Sequence, residues 1–299
     1  MTVRLDGWAI GLIGLGLMGV PMARNLHRAG AAMTVTSRRD VVVQALAAEG
    51  MQGASSPKAL ADALPAGAAI IVMVTDTAAV RVVITGEDGL LAGDLTGKTV
   101  IDMGTTQVTD TRELAAMVTA QGGSYVDAPV SGGQLGAEQA SLSIMAGGST
   151  EGIKRLAPIF SVLGQRFTHV GDIGAGQIAK TANQMIVGMT LDAVAEALSL
   201  AEAAGADPAR VREALTGGFA DSRILELHGK RMIDETFEPG GRVSVQRKDV
   251  MQALALADTV GLSLPGLAKN RQLWDEMVAT GWGDLDHSAI IKLIKALKS

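Results

Sequence analysis

The first half of the chain alternates short apolar runs with longer amphipathic segments. The runs have the length of buried strands, and the segments between them repeat apolar residues at helical spacing. Predicted strands cover 8–13, 33–36, 69–74, 99–103, 124–127, 142–146 and 166–170, and predicted helices cover 18–29, 41–48 and 114–120. Strands that alternate with helices predict a parallel sheet covered by helices.

The pattern changes after Gly171, where strand-like runs cease. One long helical stretch covers 178–204, and further helices are predicted at 208–216, 222–234, 247–260, 265–279 and 287–297. The sequence therefore predicts an α/β fold with two domains, a length of 299 residues being typical of two. An N-terminal Rossmann domain with a doubly wound parallel sheet covers 1–171, and an all-α domain covers 172–299, with a long interdomain helix joining them.

The composition excludes several classes of protein. The absence of cysteine excludes disulfide scaffolds, thiolate metal sites and cysteine nucleophiles, and it is compatible with a cytoplasmic location. The net charge of −5 offers no overall basic surface for nucleic acid. The four histidines lie far apart in the sequence, so no metal site is expected. Three carboxylates in the apolar stretch 185–206 argue against a membrane span and predict a soluble, buried helix.

A glycine-rich turn follows the first predicted strand and opens the first predicted helix. It reads Gly14-Leu15-Gly16-Leu17-Met18-Gly19. The first glycine permits a tight turn, the second lets the backbone approach a pyrophosphate, and the third allows close helix–strand packing. The helix start then offers free N–H groups to the phosphates. In this context a dinucleotide site is favoured over a turn without a ligand.

The end of the second predicted strand bears on the choice of cofactor. NAD-binding proteins place a carboxylate there, whereas this chain has Ser37 and Arg38. A hydroxyl and a guanidinium suit a 2′-phosphate, so NADP(H) is predicted as the preferred cofactor, with NAD(H) possible. The alternative is that this segment is a solvated turn.

Two further clusters carry candidate chemistry. In the stretch 127–133 (DAPVSGG), the Ser131 hydroxyl and the amides of Gly132 and Gly133 can bind a carboxylate, although an ordinary turn explains the stretch equally well. In the stretch 174–183 (GAGQIAKTAN), Lys180 and Asn183 share one face of a helix that is otherwise apolar. Desolvation there lowers the pKa expected for Lys180 towards that of a general acid/base, unless its side chain reaches water.

These stretches identify a family. Residues 14–26, 127–133, 174–183 and the pair Lys248-Asp249 occur in an order that resembles the β-hydroxyacid dehydrogenases related to 3-hydroxyisobutyrate dehydrogenase and tartronate semialdehyde reductase. The resemblance extends over about 8–297. It implies hydride transfer between NADP(H) and a small β-hydroxy acid or semialdehyde, of the 3-hydroxyisobutyrate, tartronate semialdehyde, glyoxylate or succinate semialdehyde type. It also implies a homodimer or homotetramer.

The resemblance implies a role for each matching residue. Lys180 would be the general acid/base, and Asn183 would orient Lys180 or the substrate. The substrate carboxylate would lie against Ser131, Gly132 and Gly133. The cofactor would be lined by Val74, Thr75 and Thr105, and Lys248 would reach over the nicotinamide and help to close the cleft.

Some positions depart from the family pattern. Thr106 stands where the family often has proline, and the segment 239–242 (PGGR) lacks the usual aromatic residue. These departures leave the chemistry intact and the substrate open. Two alternatives are an imine reductase-like enzyme and a catalytically silent NADP-binding interaction module, and Lys180 argues against both.

Overall fold

The computed structural model describes residues 3–297 and divides into two compact units, Met1–Lys180 and Thr181–Ser299. The first unit contains the strands β1 Ala9–Ile13, β2 Ala32–Thr36, β3 Gln52–Gly53, β4 Ala69–Val72, β5 Thr99–Asp102, β6 Ser124–Asp127, β7 Val130–Ser131, β8 Leu142–Gly147 and β9 Gly164–Gly171. Its helices are α1 Gly19–Arg28, α2 Asp40–Ala48, α3 Pro57–Ala63, α4 Thr77–Thr85, α5 Val108–Ala120, α6 Gly133–Glu138 and α7 Thr150–Leu163.

The strands form one sheet with the order β3-β2-β1-β4-β5-β6-β8-β7, and β9 pairs with β8. From β3 to β6 all neighbours are parallel, and the strand order reverses between β1 and β4. Successive residues of β4 alternate between two apolar clusters, Ile71 belonging to one and Ile70 and Val72 to the other. The sheet is therefore covered on both faces, as the predicted doubly wound fold requires.

The sheet is not parallel throughout. Strand β8 runs antiparallel to both β6 and β7. Only the short helix α6 and its flanking turns connect β7 to β8, and a parallel connection needs a crossover of about a dozen residues or more. The predicted parallel sheet therefore continues into antiparallel pairings at this end.

The second unit is helical. Helix α8 (Ala175–Ala203) begins in the first unit, and α9 Pro208–Leu215, α10 Arg223–Asp234, α11 Val243–Thr259, α12 Pro265–Ala279 and α13 Ile290–Ala296 follow it. A 3₁₀ turn at His287–Ala289 precedes α13. The core contains Leu191 and Leu198 of α8 and the fully buried Trp274. This is the all-α region expected after the Rossmann domain. The two compact units divide after Lys180, inside α8, whereas the sequence predicts a boundary after residue 171.

Helix α8 is less buried than the sequence predicts. Ile186 and Leu200 are 68% and 71% exposed, so the expectation of a buried helix is wrong for one of its faces. Within residues 3–297, α8 is the helix whose length and composition would suffice to cross a membrane, a test that soluble core helices also pass.

Candidate active site

The carboxyl ends of five parallel strands lie at one edge of the sheet. In the strand registers, Ile13 is aligned with Thr36 and Val72, and Asp102 with Val72 and Asp127. The segments that leave these strands contain the glycine-rich turn, Ser37 and Arg38, Val74 and Thr75, Thr105, and Ser131 to Gly133. The topology therefore brings the predicted cofactor and carboxylate residues of the first unit to one edge, where ligands bind in open α/β sheets.

The glycine-rich turn has the form that a dinucleotide requires. Gly14 has a φ of 101°, and a Cβ there would lie 2.2 Å from the carbonyl oxygen of Met73. A Cβ at Gly19 would lie 1.9 Å from the Gly14 carbonyl oxygen, whereas one at Gly16 would meet nothing within 4 Å. Throughout residues 3–297 no side chain caps the start of α1. The turn is tightly packed at Gly14 and Gly19 and open at Gly16, so it fits a pyrophosphate.

The end of β2 carries two arginines with different contacts. Arg38 is exposed, whereas the Arg39 guanidinium donates a hydrogen bond to the Leu15 carbonyl within the glycine-rich turn. The Ser37 hydroxyl accepts the Arg39 backbone N–H at 3.4 Å. Arg39 therefore braces the turn, a role that sequence reasoning missed because adjacent arginines carry no signal that separates them.

A buried carboxyl group holds the segment that contains Thr105. Asp102, at the end of β5, is fully buried. Its Oδ1 accepts the Gly104 N–H at 3.0 Å, and its Oδ2 accepts the Thr106 hydroxyl at 2.6 Å. Burial raises the pKa of Asp102 to about 7, against the opposing effect of these donors. Thr105 is the partly exposed residue between two buried, anchored neighbours.

The candidate carboxylate site lies where β7 leads into α6. Gly132 and Gly133 have φ values of 138° and 61°, which glycine adopts readily. A Cβ at Gly133 would meet nothing within 4 Å, so the backbone there is open to a ligand. Ser131 is partly buried in β7.

Lys180 lies near the start of α8 and is 8% exposed. It belongs to the first unit, and Asn183, three residues later on the same helix, belongs to the second. A nearly buried amine on the helix that leaves the Rossmann sheet has the environment expected of a proton-transferring group.

In the second unit, polar contacts link Asn183 to Lys248. The Asn183 amide donates to Gln184 Oε1 at 2.8 Å, and the Gln184 amide donates to Asp249 Oδ2. Asp249 Oδ1 lies 3.0 Å from Lys248 Nζ. Asp249 is buried and Lys248 partly exposed, so the chain of contacts holds two predicted site residues from α8 and α11.

Two histidines that lie far apart in the sequence meet in the second unit. The Nε2 atoms of His228 and His287 lie 3.3 Å apart, beside the carboxylate of Asp286. That carboxylate accepts the N–H groups of Gly240 and Gly241 and lies 2.8 Å from the Arg231 guanidinium. A carboxylate so occupied by donors and by a cation is a poor metal ligand.

Comparison with known proteins decides the family. Residues 9–171 match the family model of the NAD-binding domain of 6-phosphogluconate dehydrogenase, and residues 174–294 match that of the NAD-binding domain of NADP-dependent 3-hydroxyisobutyrate dehydrogenase. The 2-hydroxy-3-oxopropionate reductase of Escherichia coli (strain K12) is 44% identical over 288 residues, which cover 96% of this chain and 97% of the relative. The chain belongs to the β-hydroxyacid dehydrogenase family of 3-hydroxyisobutyrate dehydrogenase-like proteins.

Other members of the family are similar over their whole length. The 2-(hydroxymethyl)glutarate dehydrogenase of Eubacterium barkeri is 33% identical, over 95% of this chain and 94% of that one. The crystal structure of 3-hydroxyisobutyrate dehydrogenase from Salmonella typhimurium superimposes with a TM-score of 0.86 at 29% identity, covering 96% of this chain and 99% of that one. This β-hydroxyacid dehydrogenase is thus an NAD(P)-dependent oxidoreductase of the 3-hydroxyacid dehydrogenase type, as predicted.

Proposed function

We propose that this β-hydroxyacid dehydrogenase interconverts a small semialdehyde and its hydroxy acid with NADP(H), and that Lys180 is its general acid/base. Tartronate semialdehyde is the first candidate, because the 44% identical relative is a 2-hydroxy-3-oxopropionate reductase. Glyoxylate, succinate semialdehyde and 3-hydroxyisobutyrate are the related substrates. The burial of Lys180 on a helix that starts at the sheet carries the proposal.

The proposed chemistry is a hydride transfer coupled to a proton transfer. NADPH, when bound, supplies the hydride to the carbonyl carbon. Lys180, as the ammonium, donates its proton to the carbonyl oxygen as negative charge develops there. In the oxidative direction the neutral amine removes the hydroxyl proton. An acid positioned in this way contributes about 10²–10⁴-fold to the rate.

The remaining roles concern orientation of the substrate. Ser131 and the open backbone at Gly132 and Gly133 are proposed to hold the substrate carboxylate. The roles of Asn183 in orienting Lys180 and of Lys248 in closing over the nicotinamide rest on the family resemblance.

The cofactor preference is proposed from the end of β2. Arg38 is exposed and follows Ser37 at the sheet edge, where a 2′-phosphate would lie. Replacing Arg38 with Asp should favour NADH over NADPH, because the carboxylate repels the phosphate and can accept the ribose hydroxyl. An unchanged ratio of kcat/KM for the two cofactors would contradict the assignment.

The reaction is tested by following NADPH and NADH consumption with the semialdehyde and glyoxylate panel. Lys180→Ala should lose about 10²–10⁴-fold in kcat and still bind NADPH, as measured by nucleotide fluorescence. Lys154→Ala, which removes an exposed lysine of α7, is the matched control. Tight NADPH binding without turnover on any acid or aldehyde would favour the silent module, and turnover confined to cyclic imines would favour an imine reductase.

We also propose a homodimer or homotetramer that works in the cytoplasm. Exposed apolar side chains along α8, including Ile186 and Leu200, support a second copy as the partner. Light scattering coupled to size-exclusion chromatography should give a molar mass of two or four times that of one chain. Ile186→Glu combined with Leu200→Glu should reduce this mass. A monomer at micromolar concentration would contradict the proposed oligomer. Cell fractionation tests the proposed cytoplasmic location.

A further inference from the structure

The start of α8 is fixed to the sheet by a carboxylate from the end of β6. Asp127 is fully buried, and its Oδ1 accepts the Gly174 N–H at 2.7 Å. Its Oδ2 accepts the Gln177 N–H at 2.8 Å. The first N–H groups of a helix lack partners within the helix, so Asp127 caps α8 from a distant part of the sequence.

The helix start has no room to shift against the sheet. A Cβ at Gly176 would lie 2.3 Å from the carbonyl oxygen of Met145. A Cβ at Gly147 would lie 2.7 Å from the Gly176 nitrogen. The backbone of α8 therefore approaches β8 as closely as two glycines allow, and the position of its first turns is determined by the sheet.

The side chain of Gln177 joins this helix to the segment that contains Thr105. Its Oε1 accepts the Thr106 N–H at 3.0 Å, and its Nε2 donates to the Gly104 carbonyl at 3.0 Å. Gln177 is fully buried. One amide thus pairs with the backbone on both sides of Thr105, while Asp102 holds the same backbone from the sheet.

We propose that Gln177 is a positioning residue that couples the Thr105 segment to Lys180. Lys180 follows Gln177 by three residues on one helix, so the two move together. The proposal rests on the proposed function, in which Thr105 lines the cofactor and Lys180 transfers the proton. Gln177 then sets the distance between the cofactor segment and the proton donor, and an error of about 1 Å in such a distance can cost about 10²-fold in rate.

Two substitutions at this position separate coupling from simple packing. Gln177→Met keeps the length of the side chain but leaves the Thr106 N–H and the Gly104 carbonyl without their partner. The Kd for NADPH should rise about tenfold, as expected for two lost buried hydrogen bonds, and kcat should fall about 10–100-fold. The KM for the aldehyde should change by less than about threefold, because the carboxylate site is untouched.

Gln177→Glu adds a pH dependence that a packing role would not produce. The carboxyl group still accepts from Thr106, but it can donate to the Gly104 carbonyl only when it is protonated. Asp102, which holds the same segment, also titrates in this range, so each affinity is divided by that of wild type at the same pH. Between about pH 5.5 and pH 8.5, the relative NADPH affinity of Gln177→Glu should fall towards that of Gln177→Met as the new carboxyl ionises. The affinity of Gln177→Met relative to wild type should stay constant over the same range.

Lys98→Met is the matched control in the same unit. Lys98 is 1% exposed, and its Nζ bonds to Asp94 just before β5, at the opposite edge of the sheet. Its replacement should lower Tm and leave the NADPH Kd and kcat unchanged.

The outcomes distinguish this proposal from the proposed function. NADPH titration needs no turnover, so the pH-dependent affinity of Gln177→Glu would support the coupling of helix and segment even if no substrate of the panel reacted. Affinity and kcat within about twofold of wild type in the Gln177 variants would overturn the proposal, and so would losses matched by Lys98→Met. If Gln177→Met does not fold, Gln177→Glu alone decides through its pH dependence.

Discussion

Each unit of the chain buries a small cluster of titratable side chains, and the two clusters respond to burial in opposite directions. In the first unit, burial raises the pKa of Asp102 to about 7, and Thr106 and Gly104 supply uncharged donors. In the second unit, burial and the neighbouring His228 lower the pKa of His287 to about 4. At a pH between its unfolded and folded pKa values, Asp102 therefore takes up a proton on folding, whereas His287 releases one.

The difference follows from the partners. Asp102 lies beside the second buried carboxyl, Asp127, whose charge adds to the effect of burial in raising its pKa. Burial also acts on Asp286, but its donors, His228 first among them, hold the pKa of that carboxyl well below its usual range. Asp102 accepts from the uncharged groups of Gly104 and Thr106, whereas the carboxylate of Asp286 also faces the Arg231 guanidinium.

The sign of the pH dependence follows for each unit. Folded Asp102 binds a proton that the unfolded chain releases, so the stability of the first unit falls as pH rises from about 4 to about 7. Unfolded His287 binds a proton that the folded chain excludes, so the stability of the second unit falls as pH drops from about 6.5 to about 4. The two units should lose stability at opposite ends of this range.

The largest effect is expected from Asp286→Ala. It leaves the N–H groups of Gly240 and Gly241 without their acceptor and removes the anionic partner of the Arg231 guanidinium. The second unit should lose about 3–5 kcal/mol, because several donors lose one fully buried acceptor at a cost of about 1–3 kcal/mol each. Urea unfolding followed by the fluorescence of Trp274 and Trp282, in a Trp8→Phe background, measures it.

The matched control for Asp286→Ala is Asp284→Ala. The Asp284 side chain is 91% exposed, so its loss should change stability by less than about 0.5 kcal/mol. Equal effects of the two substitutions would show that the Asp286 cluster does not hold the second unit together.

Asp102→Asn should flatten the pH dependence of the first unit. The amide cannot ionise, and its oxygen can still accept the Gly104 N–H. Between pH 4 and 7 the wild-type unit should lose up to about 4 kcal/mol that the variant retains. Hydrogen exchange in peptides from β5 and β6 measures this difference in unfolding free energy at each pH. If that free energy varied with pH in the same way in both proteins, the ionisation assigned to Asp102 would be contradicted.

His287→Leu should have the smaller, opposite effect on the second unit. It removes the imidazole that must stay neutral beside His228. Wild type should lose up to about 3 kcal/mol of unfolding free energy as pH drops from 6.5 to 4, and the variant should not lose it. The urea midpoint followed by tryptophan fluorescence tests this at each pH. His169→Ala, in the first unit, is the control. If the urea midpoint of His287→Leu depended on pH as that of wild type does, the prediction would be contradicted.

Much of the fold could be predicted from spacing alone. The predicted strand at 99–103 is β5, and the predicted helix at 265–279 is α12. Helix α7 was missed, and Pro158 inside it interrupts the helical signal. The antiparallel direction of β8 was missed as well, because strand direction depends on a connection whose path no local pattern shows.

The candidate site divides in the same way. The glycine-rich turn and the Lys180 motif could be recognised, because each is a local arrangement within one strand–helix unit. The contacts of Gln177 could not be recognised, because its partners Thr106 and Gly104 lie 71 and 73 residues away in the sequence. The contacts of Asp102 with Gly104 and Thr106 are local, but no short motif marks them. The pairing of His228 with His287 joins residues 59 apart, a distance at which no sequence spacing marks a contact.

The sequence by itself determined the family, the order of the two domains and the residues with candidate chemistry. Local propensity and short motifs carry that information because they need only neighbours along the chain. The tertiary structure decided which polar groups are buried together, which carboxyl has its pKa raised and which has it lowered, and which amide joins helix α8 to the segment that contains Thr105. Those properties depend on desolvation and on partners that strand register alone brings within hydrogen-bond distance.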